Sequence, residues 1–237
     1  MKLILSGVTG FIGHQVLVQA LLSPESITSI IVLSRRVLPD SCPKDPRITT
    51  LVLSDADFLS YPPSVLSKLH GASACIWALG IKLADAEAHK RVTVDYTAAA
   101  ARAFAALSPP EGSAKFRFLF LSGALAVSDP DARVLFLDDM RKLKGEGEKQ
   151  VMEIAKENSR VFEAVVARPG MVHALGLSLT GILMALLPGD MAGVKVDTLA
   201  DALVGAAVEG WEEVGNKTWS NGELVRRGRE VAAKRNA

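Results

Sequence analysis

Three glycines stand at three-residue spacing in Gly7-Val8-Thr9-Gly10-Phe11-Ile12-Gly13, directly after the apolar run Leu3-Ile4-Leu5-Ser6. The chemistry that needs this pattern is anion binding by main chain. Residues without a Cβ permit a tight turn and let the backbone approach a pyrophosphate, and a helix opening there offers N–H groups and the positive end of its dipole. A glycine triplet alone also serves structural turns; its place between a first strand and a first helix selects the dinucleotide reading. Gly7, Thr9, Gly10, Phe11, Ile12 and Gly13 are therefore the candidate residues of a cofactor turn. The second constellation, Leu33-Ser34-Arg35-Arg36, closes the second apolar run. An NAD site usually has Asp or Glu about 20 residues after the glycines, accepting from the ribose 2′-hydroxyl. Here two guanidinium groups stand instead, and a fixed charge with a bidentate donor fork suits a 2′-phosphate. Arg35 and Arg36 thus point to NADP(H); the competing reading is a pair of solvated surface side chains.

Elements must hold these residues. Short apolar runs at Leu3–Ser6, Ile27–Leu33, Ile48–Leu53, Ala74–Leu79, Phe116–Leu121 and Phe162–Ala167 read as strands, several of them apolar throughout, as buried parallel strands are. Between them Gly13–Leu22, Ser64–Leu69, Ala86–Leu107 and Asp138–Asn158 read as helices. This alternation predicts an α/β fold with a doubly wound parallel sheet of Rossmann type, a single domain over 1–237. After Arg168-Pro169-Gly170 the alternation stops, and 171–237 reads as a small helix-rich cap on the substrate side, with a short Val194–Val196 element and a basic, solvated terminal tail carrying Arg226, Arg227, Arg229, Lys234 and Arg235.

Composition narrows the function. The 237 residues include 49% hydrophobic and 22% charged ones, enough for a substantial core and unlike a disordered chain. Lys+Arg 27 against Asp+Glu 26 leaves a net charge of +1, so nothing global points to nucleic acid. Cys42 and Cys75 show neither a disulfide framework nor metal-ligand spacing, so no metal is expected and a reduced, cytoplasmic setting is. The greasiest later stretch, Leu175–Leu187, is interrupted by Gly176, Ser178, Thr180 and Gly181 and falls short of the roughly 20 residues of a membrane span. It reads as cover for a pocket and suggests a small apolar substrate. The oligomeric state is not legible.

An ordered set of short motifs carries a resemblance over most of the chain. Beside the glycine turn and Ser34-Arg35-Arg36 they are Asp57-Phe58, Ala78-Leu79-Gly80, Val94-Asp95-Tyr96, Leu121-Ser122-Gly123, Lys144-Gly145-Glu146 and Arg168-Pro169-Gly170. With these the sequence resembles an atypical short-chain dehydrogenase/reductase, of the branch holding the Tat-interacting oxidoreductase-like proteins and their fungal relatives. The resemblance implies that Asp57 and Phe58 lie near the adenine, that Leu79 and Gly80 line the cofactor, and that Pro169 and Gly170 approach the nicotinamide. It further implies a serine that orients the substrate oxygen, matched by Ser122, and a lysine on the nicotinamide ribose, matched by Lys144.

The family's proton donor is a tyrosine four residues before that lysine, and this chain has Met140 there. Methionine neither gives nor takes a proton. Its two tyrosines, Tyr61 and Tyr96, are followed four residues on by Val65 and Ala100. Candidate substitutes are His173, which follows Pro169-Gly170 and exchanges protons near neutral pH, the acids Asp138 and Asp139, Tyr96, and a water relayed by Ser122. Asp138 and Asp139 also suit the start of a helix through its dipole. Arg141 and Lys142, with Lys144, could form a basic face for partners.

The expected function is NADP(H)-dependent oxidation or reduction of a small apolar carbonyl or enone compound with a non-standard proton donor. Enone reduction tolerates loss of the tyrosine best, since hydride adds at carbon and a weaker acid can finish the step. Two alternatives stay open: a redox-neutral isomerase, cyclase or dehydratase on the same scaffold, and a nonenzymatic NADPH-sensing regulator.

Overall fold

Leu3, Ile4 and Leu5 are each 1% exposed or less, the environment of a strand covered on both faces. In the computed structural model, which describes residues 1–81, 85–107, 115–127, 138–174, 192–211 and 217–236, they form β1 (Lys2–Ser6), an interior strand of a seven-stranded sheet. The chain continues through α1 (Phe11–Leu21), β2 (Ser29–Ser34), β3 (Ile48–Val52), α2 (Asp55–Leu59), α3 (Pro63–Leu69) and β4 (Ala72–Trp77). Next come α4 (Ala86–Lys90), a π-helical turn (Arg91–Asp95), α5 (Tyr96–Ala105), β5 (Phe116–Leu121), α6 (Asp138–Glu157) and β6 (Phe162–Ala167). A two-stranded ribbon of β7 (Val172–His173) and β8 (Val194–Lys195) precedes α7 (Val196–Glu209), β9 (Lys217–Trp219) and α8 (Asn221–Asn236).

The large sheet has the order β3-β2-β1-β4-β5-β6-β9 and every pairing in it is parallel. This is the doubly wound arrangement expected from the alternating runs, with its reversal of winding between β1 and β4. Alternate side chains feed two cores. On one face Ile4, Trp77, Phe118 and Phe162 pack with Phe104 of α5 and Val151 of α6. On the other, Leu3, Leu5, Ile76 and Val165 pack with Leu17 of α1 and Leu203 of α7. Trp77 is fully buried and its indole N–H donates to the Thr97 hydroxyl at 2.9 Å, so the one polar atom of that side chain is satisfied.

Three expectations change. The alternation does not stop after Gly170: α7 packs on the sheet and β9 adds a seventh parallel strand beside β6. Residues 194–211 and 217–236 thus complete the Rossmann unit instead of forming a separate cap; the Leu175–Leu187 stretch lies outside the described residues. The tail is a helix two of whose cations are tied to the body of the fold: Arg235 pairs with the buried Asp201 at 2.6 Å and donates to Gln19 at 2.8 Å, and Arg227 lies 4.1 Å over the Trp219 ring, while Arg229 is exposed. The span read as one helix from Ala86 to Leu107 is broken by the π-helical turn at Arg91–Asp95. There the Thr93 carbonyl faces Gly147 of α6, where a Cβ would come within 2.9 Å. No described helix is long and apolar enough to cross a membrane.

Candidate functional site

The carboxyl ends of β1, β2 and β4 open onto a cleft of about 630 Å³, lined by residues 7–11, 33–36 and 78–81. Gly7 turns the chain with φ +74°, and a Cβ there would lie 2.2 Å from the Ala78 carbonyl oxygen. Gly13 is as constrained: its Cβ would lie 2.2 Å from the Gly7 carbonyl oxygen, so the first turn of α1 sits directly on the loop. The helix opens at Gly10 without a side-chain cap or an acidic residue in its first turn, leaving its N–H groups for an anion. Phe11 stands 49% exposed at the mouth.

Of the expected cofactor residues, Gly7, Thr9, Gly10, Phe11, Arg35, Arg36, Leu79 and Gly80 are brought together around this cleft. Ile12 turns inward against the core and Gly13 is buried beneath the turn, so these two shape the cleft from behind. Ser34 accepts from the Arg36 N–H at 3.3 Å, holding the turn that presents both arginines. Arg35 and Arg36 are exposed, and the cleft lining contains no carboxylate among the described residues. Asp57 and Phe58 are placed differently. Asp57 caps α2, accepting from the Ser54 N–H at 2.9 Å and hydroxyl at 2.7 Å, and these bonds hold its carboxyl below the usual range. Phe58 is 0% exposed and stacked on Tyr96 at 5.3 Å, so it supports the core and cannot touch a ligand.

A second pocket, about 190 Å³, lies where the loop after β5, the first turns of α6 and the turn after β6 meet. Its lining includes Gly123, Met140, Lys144, Pro169 and Gly170. Met140 and Lys144 are one helical turn apart and share that face of α6. Lys144 donates to the Ser122 carbonyl at 3.3 Å, and the nearness of its ammonium leaves room only for glycine or a small shift at 123, where a Cβ would be 3.2 Å away. Burial pulls the Lys144 ammonium below its ordinary pKa, while Glu148 one turn on pushes it back up. Glu148 is itself clamped by Arg168, whose Nε donates to both its oxygens at 3.0 and 3.1 Å.

Ser122 ends up buried at 5% exposure, and its hydroxyl has no partner among the described residues. The hydroxyl of Ser6, at the end of β1, is in the same condition. Buried hydroxyls normally find partners. Two orphaned ones at strand ends, each directly before a residue that lines the cleft or the pocket, together with the glycine cradle that a Cβ would fill, fit a dinucleotide-binding edge.

The substitute donors fare unequally. His173 pairs with Lys195 in the β7–β8 ribbon, its Nδ1 lies 3.1 Å from the Ala174 carbonyl, and it does not line the pocket. Tyr96 is fully buried against Phe58; burial raises its pKa and the neighbouring Asp55 raises it further, which disfavours proton transfer to a substrate. The side chains of Asp138 and Asp139 lie outside the described ones. Reasoning from sequence also missed two supports. Asn221, 2% exposed, accepts from the Gly170 N–H at 2.9 Å and donates to the Ala192 carbonyl at 3.0 Å, fixing the turn after β6. His89, 5% exposed, bonds Thr93 at 3.2 Å behind Lys144. Asn221 had no signal, lying 51 residues from its partner; His89 lacked one because only burial sets it apart.

No family model and no curated protein sequence matches the chain. Solved structures do resemble it. MoeE5 in complex with UDP-glucuronic acid and NAD superposes with a TM-score of 0.64 at 15% identity, over 98% of this chain and 83% of that one. A UDP-glucose 4-epimerase from Thermotoga maritima gives 0.64 at 14%, over 98% and 83%. DesIV, a dTDP-glucose 4,6-dehydratase from Streptomyces venezuelae with NAD bound, gives 0.64 at 16%, over 98% and 81%. At this identity the likeness establishes the fold: the chain is a Rossmann-type α/β protein.

Proposed function

We propose that this Rossmann-type chain binds NADP(H) and is an oxidoreductase of the atypical short-chain dehydrogenase type, acting on a small apolar carbonyl or enone compound without a tyrosine donor. The observation that carries the reading is the pair Arg35 and Arg36 on the wall of the glycine cleft, with no carboxylate among the described residues of that lining. Neighbours that bind NAD support a nicotinamide dinucleotide in general; the arginines support the 2′-phosphate form. When bound, that cofactor supplies or accepts the hydride.

The chain's own residues then divide the work. Lys144 offers a largely buried cation for the nicotinamide ribose, and Pro169 and Gly170, held by Asn221, close the pocket wall opposite it. The Ser122 hydroxyl is free to orient a substrate oxygen or a water. Met140 contributes only apolar surface. With Tyr96 and His173 outside the pocket lining, we favour a water held by Ser122 as donor over Asp138 and Asp139, whose side chains lie outside the described ones, and a weak donor suits an enone better than a ketone. Two buried free thiols, Cys42 and Cys75, fit a reducing, cytoplasmic setting.

A second reading, redox-neutral chemistry with the cofactor retained, is favoured by neighbours named as an epimerase and a dehydratase. Absorbance of NADPH with a panel of apolar enones and ketones separates the two. NADPH consumption with any of them supports the oxidoreductase. Turnover without net NADPH change supports the second reading, and cofactor binding without either sinks both.

A further inference from the structure

Arg141 follows Met140 on α6, and both line the 190 Å³ pocket with Lys144. Its guanidinium is held in place: Nε donates to the Leu125 carbonyl at 2.6 Å, while the Arg141 carbonyl accepts from the Val127 N–H at 3.0 Å. The segment after β5 is therefore strapped to α6 through this one residue. Only one of the five guanidinium N–H donors is used by that bond. The terminal nitrogens have no partner among the described residues.

The rest of the lining is apolar side chain or small-residue backbone, with Leu125, Met140 and Met171 the largest members. Among the described residues no carboxylate lines the pocket, and Glu148, the acid that acts on Lys144, is already bound by Arg168. Arg141 thus brings a fixed cation with unused donors to an apolar space, beside a Lys144 whose charge Glu148 offsets. A ligand carrying negative charge would engage those donors. A planar, bidentate fork selects a carboxylate over a point anion. We infer that the pocket takes a small apolar carboxylate, its carboxyl group held by Arg141 and its hydrocarbon against Leu125, Met140 and Met171. Resting on the oxidoreductase reading, this makes the substrate class an apolar oxo acid or enoic acid.

The test is calorimetric titration of hexanoate, hexanamide and hexan-1-ol into NADPH-saturated protein. Hexanoate is expected to bind roughly 10-fold or more tighter than hexanamide, the difference a charge-assisted bidentate contact makes. Arg141→Gln should abolish that preference and Arg141→Lys should keep part of it, with NADPH affinity and circular dichroism unchanged in both. Equal binding of hexanoate and hexanamide by the wild type overturns the inference. So does a hexanoate preference that survives in Arg141→Gln, which would assign the anion to Lys144. Should Arg141→Gln not fold, the wild-type comparison and Arg141→Lys decide. Failure of the wild type to bind NADPH would count against the cofactor reading instead, and the same titrations without cofactor would still judge the carboxylate.

Discussion

Lys144 reaches across from α6 to donate to the main-chain carbonyl of Ser122 at 3.3 Å, joining the end of β5 to the helix that lines the pocket. The bond satisfies one of three ammonium protons. What remains is a cation largely removed from water and offset by Glu148, and Glu148 is shared with Arg168. The site therefore carries a stability cost that a bound anionic or hydroxyl-bearing ligand would relieve.

That cost can be measured with Lys144→Met. The folded-state pKa of Lys144 lies below its ordinary 10.5, so charging it opposes folding at every pH below that folded value, and the penalty disappears as pH rises past about 10.5. At neutral pH without cofactor, Lys144→Met should melt at a higher temperature than the wild type, and the gap should close in alkali. The variant should also gain less from added NADPH. A lower melting temperature with an undiminished NADPH gain would contradict the placement of Lys144 at the cofactor.

His89 gives an acid limit. Burial first, and the Lys144 charge second, hold its pKa below the ordinary 6.5, so the folded chain binds fewer protons than the unfolded one as pH falls through that range. Its contribution is intact above about pH 6.5 and is lost progressively below. Denaturant melts at stepped pH should show this loss in the wild type and a shallower one in His89→Gln. Identical slopes would remove His89 from the cause.

One of the contacts that hold the last helix is an ion pair to a buried acid. Asp201 is 5% exposed at its side chain, whereas Arg235 is 31% exposed. Losing the arginine strands a buried carboxylate; since Arg235 is partly solvated, Arg235→Ala should cost about 2 kcal/mol, less than the 3–5 of a fully buried pair. For a chain this size that lowers the melting temperature by roughly 4–8 °C. The double variant Arg235→Ala with Asp201→Ala should recover part of it, as scanning calorimetry would reveal.

How much of this was legible follows from where the signals live. Phe116–Leu121 and Phe162–Ala167 were read to the residue because an unbroken apolar run between turn residues has few other uses. The glycine turn was readable because Gly7 and Gly13 answer steric demands no other residue meets. β9 escaped because three residues with one buried tryptophan make no run, and α8 escaped because its apolar stripe, Leu224, Val225 and Val231, is narrow among charges. Phe58 was misjudged since a motif position says nothing of which way a ring turns. Arg141 was seen only as one of a basic cluster; its fixing by the Leu125 carbonyl is a tertiary fact.

Met140 offers a gain-of-function check. In Met140→Tyr a phenol would stand one turn before Lys144, whose charge favours the phenolate and so the transfer of its proton. A positioned acid contributes about 10²–10⁴-fold where geometry fits. NADPH oxidation with simple apolar ketones should therefore rise in this variant, while His173→Ala and Tyr96→Phe should leave the wild-type rate unchanged, both residues lying outside the pocket lining. No gain with any ketone, in a variant that still binds NADPH, would mean that α6 does not present residue 140 to the reacting atoms.

NADP(H) recognition by Arg35 and Arg36 is tested most directly by titrating NADPH and NADH separately into the wild type and into Arg35→Ala with Arg36→Ala. One charge-assisted contact is worth about 1.5–3 kcal/mol, or roughly 10- to 150-fold in affinity. NADPH should bind the wild type more tightly than NADH by at least the lower figure, and the double variant should bind the two nearly alike with NADH affinity preserved. Equal affinities in the wild type, or a preference untouched by the substitutions, would contradict it.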